Sequence, residues 1–80
     1  MLDEIRRKLV VKRCRNRRNK YPWASGKWTA LVLMDEDNDD VWVIDGRIDC
    51  NGNFQEHFAS NQLFNTKEEA EIALVKYQLS

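Results

Sequence analysis

The spacing of hydrophobic residues predicts strands in the middle of the chain. Residues 27–34 carry apolar side chains on both alternating sets of positions, which is typical of a central strand or one covered on both faces. Residues 41–48 continue the alternation, and Gly46 within them indicates a bulge. Residues 54–58 are shorter and more polar, which favours an edge strand.

Polar residues between these segments predict hairpins. Residues 35–40 are all polar and connect the first two strand patterns. The pair Asn51-Gly52 in the second connection is a strong signal for a tight hairpin turn. Together these patterns predict a three-stranded antiparallel sheet.

A helical period begins near the C-terminus. Four apolar residues recur at the spacing of one helix face and predict a helix over residues 67–78. They are Ala70, Ala73, Leu74 and Tyr77. Thr66 and Glu69 have the spacing of a capping box, in which the two side chains bind backbone N–H groups of the first turn. We expect Phe64, just ahead of this helix, to anchor it to the sheet.

The N-terminal segment has two interpretations. The apolar residues within residues 2–10 are spaced as on a helix, and the cations lie toward its end, which predicts a short basic helix or arm. The β-branched pair Val10-Val11 would instead begin a strand. Residues 12–20 are almost entirely polar and are expected to be extended or disordered without a partner.

These elements predict an α+β fold, with a three-stranded antiparallel sheet packed by a C-terminal helix. We divide the 80 residues into a basic N-terminal segment, residues 1–20, and a sheet-plus-helix domain, residues 21–80. The chain has no apolar run long enough to span a membrane, and we expect no secretory signal, because its first residues include no apolar segment. Cys14 and Cys50 are too few for a disulfide framework, so we expect a soluble cytoplasmic protein with reduced thiols.

The distribution of charge points to a function. Residues 1–20 hold nine cations and two anions, a net charge of +7, whereas residues 21–80 hold four cations and eleven anions, a net charge of −7. A segment this basic attracts phosphates, and neighbouring rings can stack on bases. We therefore predict a small regulatory protein of a phage or bacterium that binds DNA or RNA. The residues predicted to bind nucleic acid are Arg6, Arg7, Lys8, Lys12, Arg13, Arg15, Arg17, Arg18, Lys20, Tyr21 and Trp23.

Other partners stay open at this stage. The basic segment could pair with the acidic body of its own chain or bind an acidic protein. The acidic body could also be the interaction face of an inhibitor or assembly factor that docks on a basic protein. The residues for that alternative are Asp35, Asp37, Asp39 and Asp40. Both a monomer and a homodimer fit the sequence.

No pattern of residues predicts catalysis. Asp35, Asp37 and Asp39 alternate as in a calcium loop, but the sixth and twelfth positions hold Asp40 and Gly46 instead of glycine and glutamate. The single histidine, His57, is not placed beside Cys14 or Cys50 by the sequence pattern. We expect no enzymatic activity, no bound metal and no cofactor.

Two stretches resemble a known family. Pro22-Trp23 followed by residues 26–30, Gly-Lys-Trp-Thr-Ala, and residues 64–70, Phe-Asn-Thr-Lys-Glu-Glu-Ala, resemble the plant ethylene-response-factor DNA-binding domain. The arm-binding domains of phage integrases are similar in plan. The resemblance implies a three-stranded sheet on one helix, with the sheet in the major groove. It also implies that Trp23 and Trp28 lie on the DNA-facing side and that Arg17 and Arg18 contact DNA.

Overall fold

The computed structural model describes residues 5–14 and 22–79. It has the predicted α+β architecture, an antiparallel sheet with a C-terminal helix. In chain order the main elements are β1 (Arg6–Arg13), β2 (Trp28–Asp35), β3 (Val43–Ile48), β4 (Phe54–Gln55) and α1 (Lys67–Leu79). Each strand pairs with the next one along the chain, so the sheet order is β1-β2-β3-β4.

The structure corrects the prediction at the N-terminus. Residues 6–13 form a strand, so the sheet has four strands in its described part, and the predicted N-terminal helix is wrong over these residues. All eight residues of β1 pair with β2, from Arg6 opposite Asp35 to Arg13 opposite Trp28. β2 is apolar on both faces and offers a full-length partner, which outweighs the helical spacing of the N-terminal apolar residues. The predicted assignments for residues 1–4 and 15–21 lie outside the described residues.

The bulge predicted near Gly46 is present in β3. Val32 pairs with Gly46, whereas the next residue of β2, Leu33, pairs with Ile44, which leaves Asp45 as the extra residue. A side chain could not replace the hydrogen of Gly46, because its Cβ would lie 2.5 Å from the ring of Phe54. The ring of Phe54 therefore packs directly on the backbone of β3.

The turn between β3 and β4 is built around one buried carboxylate. Asp49 is buried, and its Oδ1 accepts hydrogen bonds from the backbone N–H groups of Asn51 at 2.9 Å and Asn53 at 3.0 Å. Its Oδ2 accepts a third from Gln55 Nε2 at 3.2 Å. Gly52 adopts a φ of +83°, as the Asn-Gly signal predicts. β4 is shorter than predicted, because it ends at Gln55 instead of residue 58.

α1 packs on the sheet through small side chains. Ala70 and Ala73 are almost completely buried, so the helix axis approaches the strands closely, while Leu74 and Tyr77 pack beside them. The common core consists of Ala30, Val32, Ile48, Phe64, Ala70 and Ala73. α1 has 13 residues, and no helix in the described ranges is long and apolar enough to cross a membrane.

The start of α1 is capped as the sequence predicts, with one difference. The backbone N–H of Glu69 donates to Thr66 Oγ1 at 3.2 Å, but the Glu69 carboxylate accepts from the N–H of Asn65 at 3.1 Å, not from that of Thr66. Just ahead of the cap, Phe64 exchanges two backbone hydrogen bonds of 2.8 Å with Trp28. Phe64 thus anchors the helix to β2.

Candidate nucleic-acid interface

The sheet face that points away from α1, which we call the outer face, carries Lys8, Lys12 and Arg47. Residues directly opposite each other in antiparallel strands share a face. Lys8 opposes Leu33 and Lys12 opposes Thr29, while on the other side of β2 Arg47 opposes Leu31. These residues alternate with the core residues of β1, β2 and β3, and together they form the outer face. It consists of Arg6, Lys8, Val10, Lys12, Thr29, Leu31, Leu33, Asp35, Ile44 and Arg47.

At one end of β1, Arg6 is occupied by carboxylates of its own chain. Its guanidinium contacts the buried carboxylate of Asp35 and lies 3.0 Å from Asp40 Oδ1. Asp35 also accepts the backbone N–H groups of Asp39 at 3.3 Å and Asp40 at 2.8 Å. Burial alone would raise the pKa of Asp35, but the N–H of Asp40 and the Arg6 guanidinium hold that pKa below its usual value.

The next two cations of β1 are also in contact with groups of their own chain. Arg7 Nε lies 3.5 Å from Asp45 Oδ2. Lys8 Nζ lies 4.2 Å from the ring centroid of Trp42, and the Arg6 guanidinium carbon lies 5.3 Å from the same centroid. Trp42 is half-buried, and its ring attracts both cations.

At the opposite end of the outer face, three side chains form a stack. The Arg47 guanidinium carbon lies 4.0 Å from the ring centroid of Phe58. Phe58 and Trp23 are stacked in turn, with centroids 5.1 Å apart and ring planes inclined by 27°. Trp23 is 49% exposed. Sequence analysis selected Trp23 but missed Arg47 and Phe58, since no local pattern indicates that they meet.

Backbone contacts bring the end of β1 to this stack. The N–H of Cys14 donates to the carbonyl of Lys27 at 2.7 Å, and the N–H of Gly26 donates to the carbonyl of Cys14 at 3.0 Å. The turn that carries Trp23 therefore lies beside the last residues of β1. Burial raises the pKa of the Cys14 thiol despite the opposing effect of Arg47. This thiol is accordingly protonated and apolar at neutral pH.

The cations at this end differ in environment from Arg6 and Arg7. Lys12 and Arg13 are exposed at the end of β1. Lys27 Nζ donates to Asn65 Oδ1 at 2.5 Å. The remaining predicted nucleic-acid-binding residues lie outside the described part of the chain: Arg15, Arg17, Arg18, Lys20 and Tyr21.

The four aspartates of the alternative prediction lie in one hairpin but differ in exposure. Asp35 is buried at the end of β2, whereas Asp37, Asp39 and Asp40 are exposed in the connection to β3.

Trp28 packs against the helix-side core. Within residues 5–14 and 22–79, no group of three or more His, Cys, Asp or Glu residues could hold a metal ion.

Comparison of the chain with protein-family models, with curated proteins and with solved structures finds no match in any of the three. The geometry of the outer face is therefore the basis on which a function is proposed.

Proposed function

We propose that the protein binds single-stranded nucleic acid, DNA or RNA, at the end of the outer face where Trp23 lies. The observation that carries the proposal is the stack of Arg47, Phe58 and Trp23, whose indole is half-exposed beside the basic end of β1. One base would stack on Trp23, and the cations around it would contact the phosphates on either side of that base.

The stack supports this proposal because it fixes the indole in place before any ligand arrives. Phe58 lies against the Trp23 ring at 5.1 Å between centroids, so little side-chain freedom is lost when a base stacks on the exposed part of the indole. Base–aromatic stacking contributes about 1–3 kcal/mol per base. A base inside a duplex is already stacked on both sides, which favours an unpaired base as the ligand.

The cations support the same end of the sheet. Lys12 is exposed on the outer face there, and Arg13 is exposed next to it on the opposite face of β1. The sequence continues directly into four more cations within residues 15–20. Arg6 and Arg7 are left out of the proposed set, because Asp35, Asp40 and Asp45 already lie against them. A phosphate would have to displace those carboxylates, and the loss of the existing ion pairs would offset the free energy gained from the new contact.

Fluorescence anisotropy with short labelled oligonucleotides tests the proposal. Single-stranded DNA and RNA should bind more tightly than a duplex of the same sequence, and the logarithm of the affinity should fall linearly with the logarithm of the salt concentration. Trp23→Ala should weaken single-strand binding by about 1–3 kcal/mol, the contribution of one stacked base. Lys12→Gln should reduce the salt slope by about 0.7 for its single phosphate contact.

Lys67→Gln is the matched control for Lys12→Gln. It removes the same charge from an exposed position on α1, across the sheet from the outer face, and should leave affinity and salt slope unchanged. If Lys67→Gln and Lys12→Gln weaken binding equally, only general charge attraction is at work. Absence of single-strand binding at low salt would end the proposal, and tighter binding to duplex would show that Trp23 does not act by stacking.

A further inference from the structure

The edge of β3 that lies away from β2, which we call its outer edge, is paired over only part of its length. β4 pairs with Arg47 and Ile48 and then ends, because the strand has two residues. Among the described residues, no strand pairs with the outer edge of residues 43–45. This stretch therefore presents backbone N–H and C=O groups in the geometry of a sheet edge.

Apolar side chains are exposed along the same stretch. Val43 is 46% exposed and Ile44 is 52% exposed, and Val41 just ahead of β3 is 62% exposed. Edge strands are usually protected by charged side chains, as β1 is by its arginines and lysines. The charged residue of this stretch, Asp45, lies against Arg7 of the same chain. Val43 and Ile44 thus combine exposed β-branched side chains with backbone groups to which another strand can hydrogen-bond.

The charge next to this edge selects the partner. The connection that leads into β3 exposes four carboxylates, those of Glu36, Asp37, Asp39 and Asp40. Of these four, Asp40 forms an ion pair with Arg6 of the same chain. An acidic hairpin beside an apolar edge is complementary to an extended segment that is both basic and apolar.

We propose that the β3 edge binds an extended segment of a partner protein in which lysine or arginine alternates with β-branched residues. The segment adds to the sheet as a further strand next to residues 43–45, through backbone hydrogen bonds. Because successive side chains of a strand point to opposite faces, the apolar side chains of the segment lie on one face and cover Ile44, and its cations face the acidic hairpin. This site is at the other end of the molecule from Trp23 and does not depend on nucleic-acid binding.

A second copy of the chain is the competing occupant, because β1 is itself basic and lies at the opposite edge of the sheet. Each copy would then present one edge of each kind, so the contact would be heterologous and would build a ring or an open filament of several copies. A separate partner protein, which stops after one strand, fits the edge better.

A synthetic peptide of alternating lysine and valine, labelled with a fluorophore, is the probe. We expect it to bind, and the same peptide with glutamate in place of lysine should not. Two further peptides carry N-methyl groups on every second amide. In one peptide the methyl groups block one edge of the strand, and in the other they block the opposite edge. A docked strand uses only one edge for its hydrogen bonds, so one methylated peptide should lose binding and the other should keep it. Equal binding of both would overturn strand addition.

Protein variants locate the site. Ile44→Lys and Val41→Lys should each weaken peptide binding at least about tenfold, equivalent to about 1.4 kcal/mol. Ile72→Lys is the matched control, since Ile72 is 56% exposed on α1 and should change the affinity less than about twofold. Circular dichroism verifies that each variant is folded, and oligonucleotide binding should be the same in all three. Equal effects of Ile44→Lys and Ile72→Lys would overturn the proposal.

Sedimentation velocity of the protein alone tests the competing occupant. We expect a monomer at the concentrations used for peptide binding. Association that Ile44→Lys abolishes and Ile72→Lys retains would identify a second copy as the occupant and overturn the partner-protein proposal.

Discussion

Two buried carboxylates hold the hairpin connections of the sheet. Asp35 accepts two backbone N–H groups of the connection between β2 and β3, and Asp49 accepts two of the turn between β3 and β4. A buried acceptor that satisfies several backbone donors fixes the path of the chain, because each donor would otherwise be left without a partner or would turn to water. Asp35 in addition binds Arg6, which places the start of β1 against the hairpin.

Asp49→Asn should destabilise the protein by about 1–3 kcal/mol. The amide keeps one acceptor oxygen but loses the charge, and its NH₂ group faces the donor Gln55 Nε2. Urea unfolding followed by tryptophan fluorescence measures the change. Asp37→Asn, in the exposed part of the other connection, is the control and should change the free energy of unfolding by less than about 0.5 kcal/mol. Equal losses would show that Asp49 has no special role in the turn.

The elements of the sheet and the helix constrain each other through close contacts. The turn before β4 lies against α1, so that a Cβ on Gly52 would lie 2.6 Å from the Cβ of Lys76. Lys76 Nζ in turn donates to the carbonyl of Cys50 at 3.4 Å. The helix thus leaves no space for a side chain at Gly52, independently of the turn's own requirement for a positive φ.

Gly52→Ala should therefore lower the free energy of unfolding more than Gly26→Ala does, although both glycines have positive φ values, +83° and +81° respectively. For Gly26→Ala we expect about 1–2 kcal/mol, the cost of a left-handed conformation, since the nearest atom to the new Cβ would be Arg13 Nη2 at 3.8 Å. Gly52→Ala should cost about 1–3 kcal/mol more because of the contact with α1. Thermal unfolding of the two variants compares these costs, and equal values would argue against the contact.

Over the whole molecule, charge is separated along the sheet. The acidic hairpin lies at the end where β1 begins, with Arg6 and Arg7 held against Asp35, Asp40 and Asp45. At the opposite end, Cys14 lies beside the turn that carries Trp23, and the sequence after it is rich in cations. An uneven field of this kind attracts anionic ligands to one end and cationic ligands to the other, as the two proposed sites require.

Stability should fall at acidic pH because of the two buried aspartates. Burial opposes their ionisation, but hydrogen bonds from backbone N–H groups hold the pKa values of Asp35 and Asp49 below the usual value, and Arg6 adds to this at Asp35. The unfolded chain then binds more protons than the folded one. The stabilisation that the two aspartates provide is complete above their pKa in the unfolded chain, about 3.9. It is lost as the pH falls through their lower pKa values in the folded protein.

Urea unfolding at a series of pH values checks this. The free energy of unfolding should decrease from about pH 5 downward, and Asp49→Asn should show a shallower decrease, since one of the two groups is missing. A wild-type free energy that stays constant between about pH 5 and about pH 3 would contradict the lowered pKa values.

Local patterns were sufficient for α1, β2 and the turn at Gly52. The stripe that includes Ala70 and Ala73 and the cap at Thr66 lie within a few residues of each other, so their spacing already specifies a helix and its buried face. β1 was not predictable in the same way, because its strand conformation depends on pairing with β2, which lies more than ten residues further along the chain. Its apolar residues fit either element until that partner is known.

The sequence by itself determined that this chain folds as an α+β unit and that its cations are concentrated near one end of the chain. Only the tertiary structure decided which cations face carboxylates, as Arg6 and Arg7 do, and that Arg47 and Phe58 support Trp23. The physical reason is distance along the chain. Periodicity and capping act over a few residues, whereas ion pairs and ring stacks join side chains that meet only after the strands have paired.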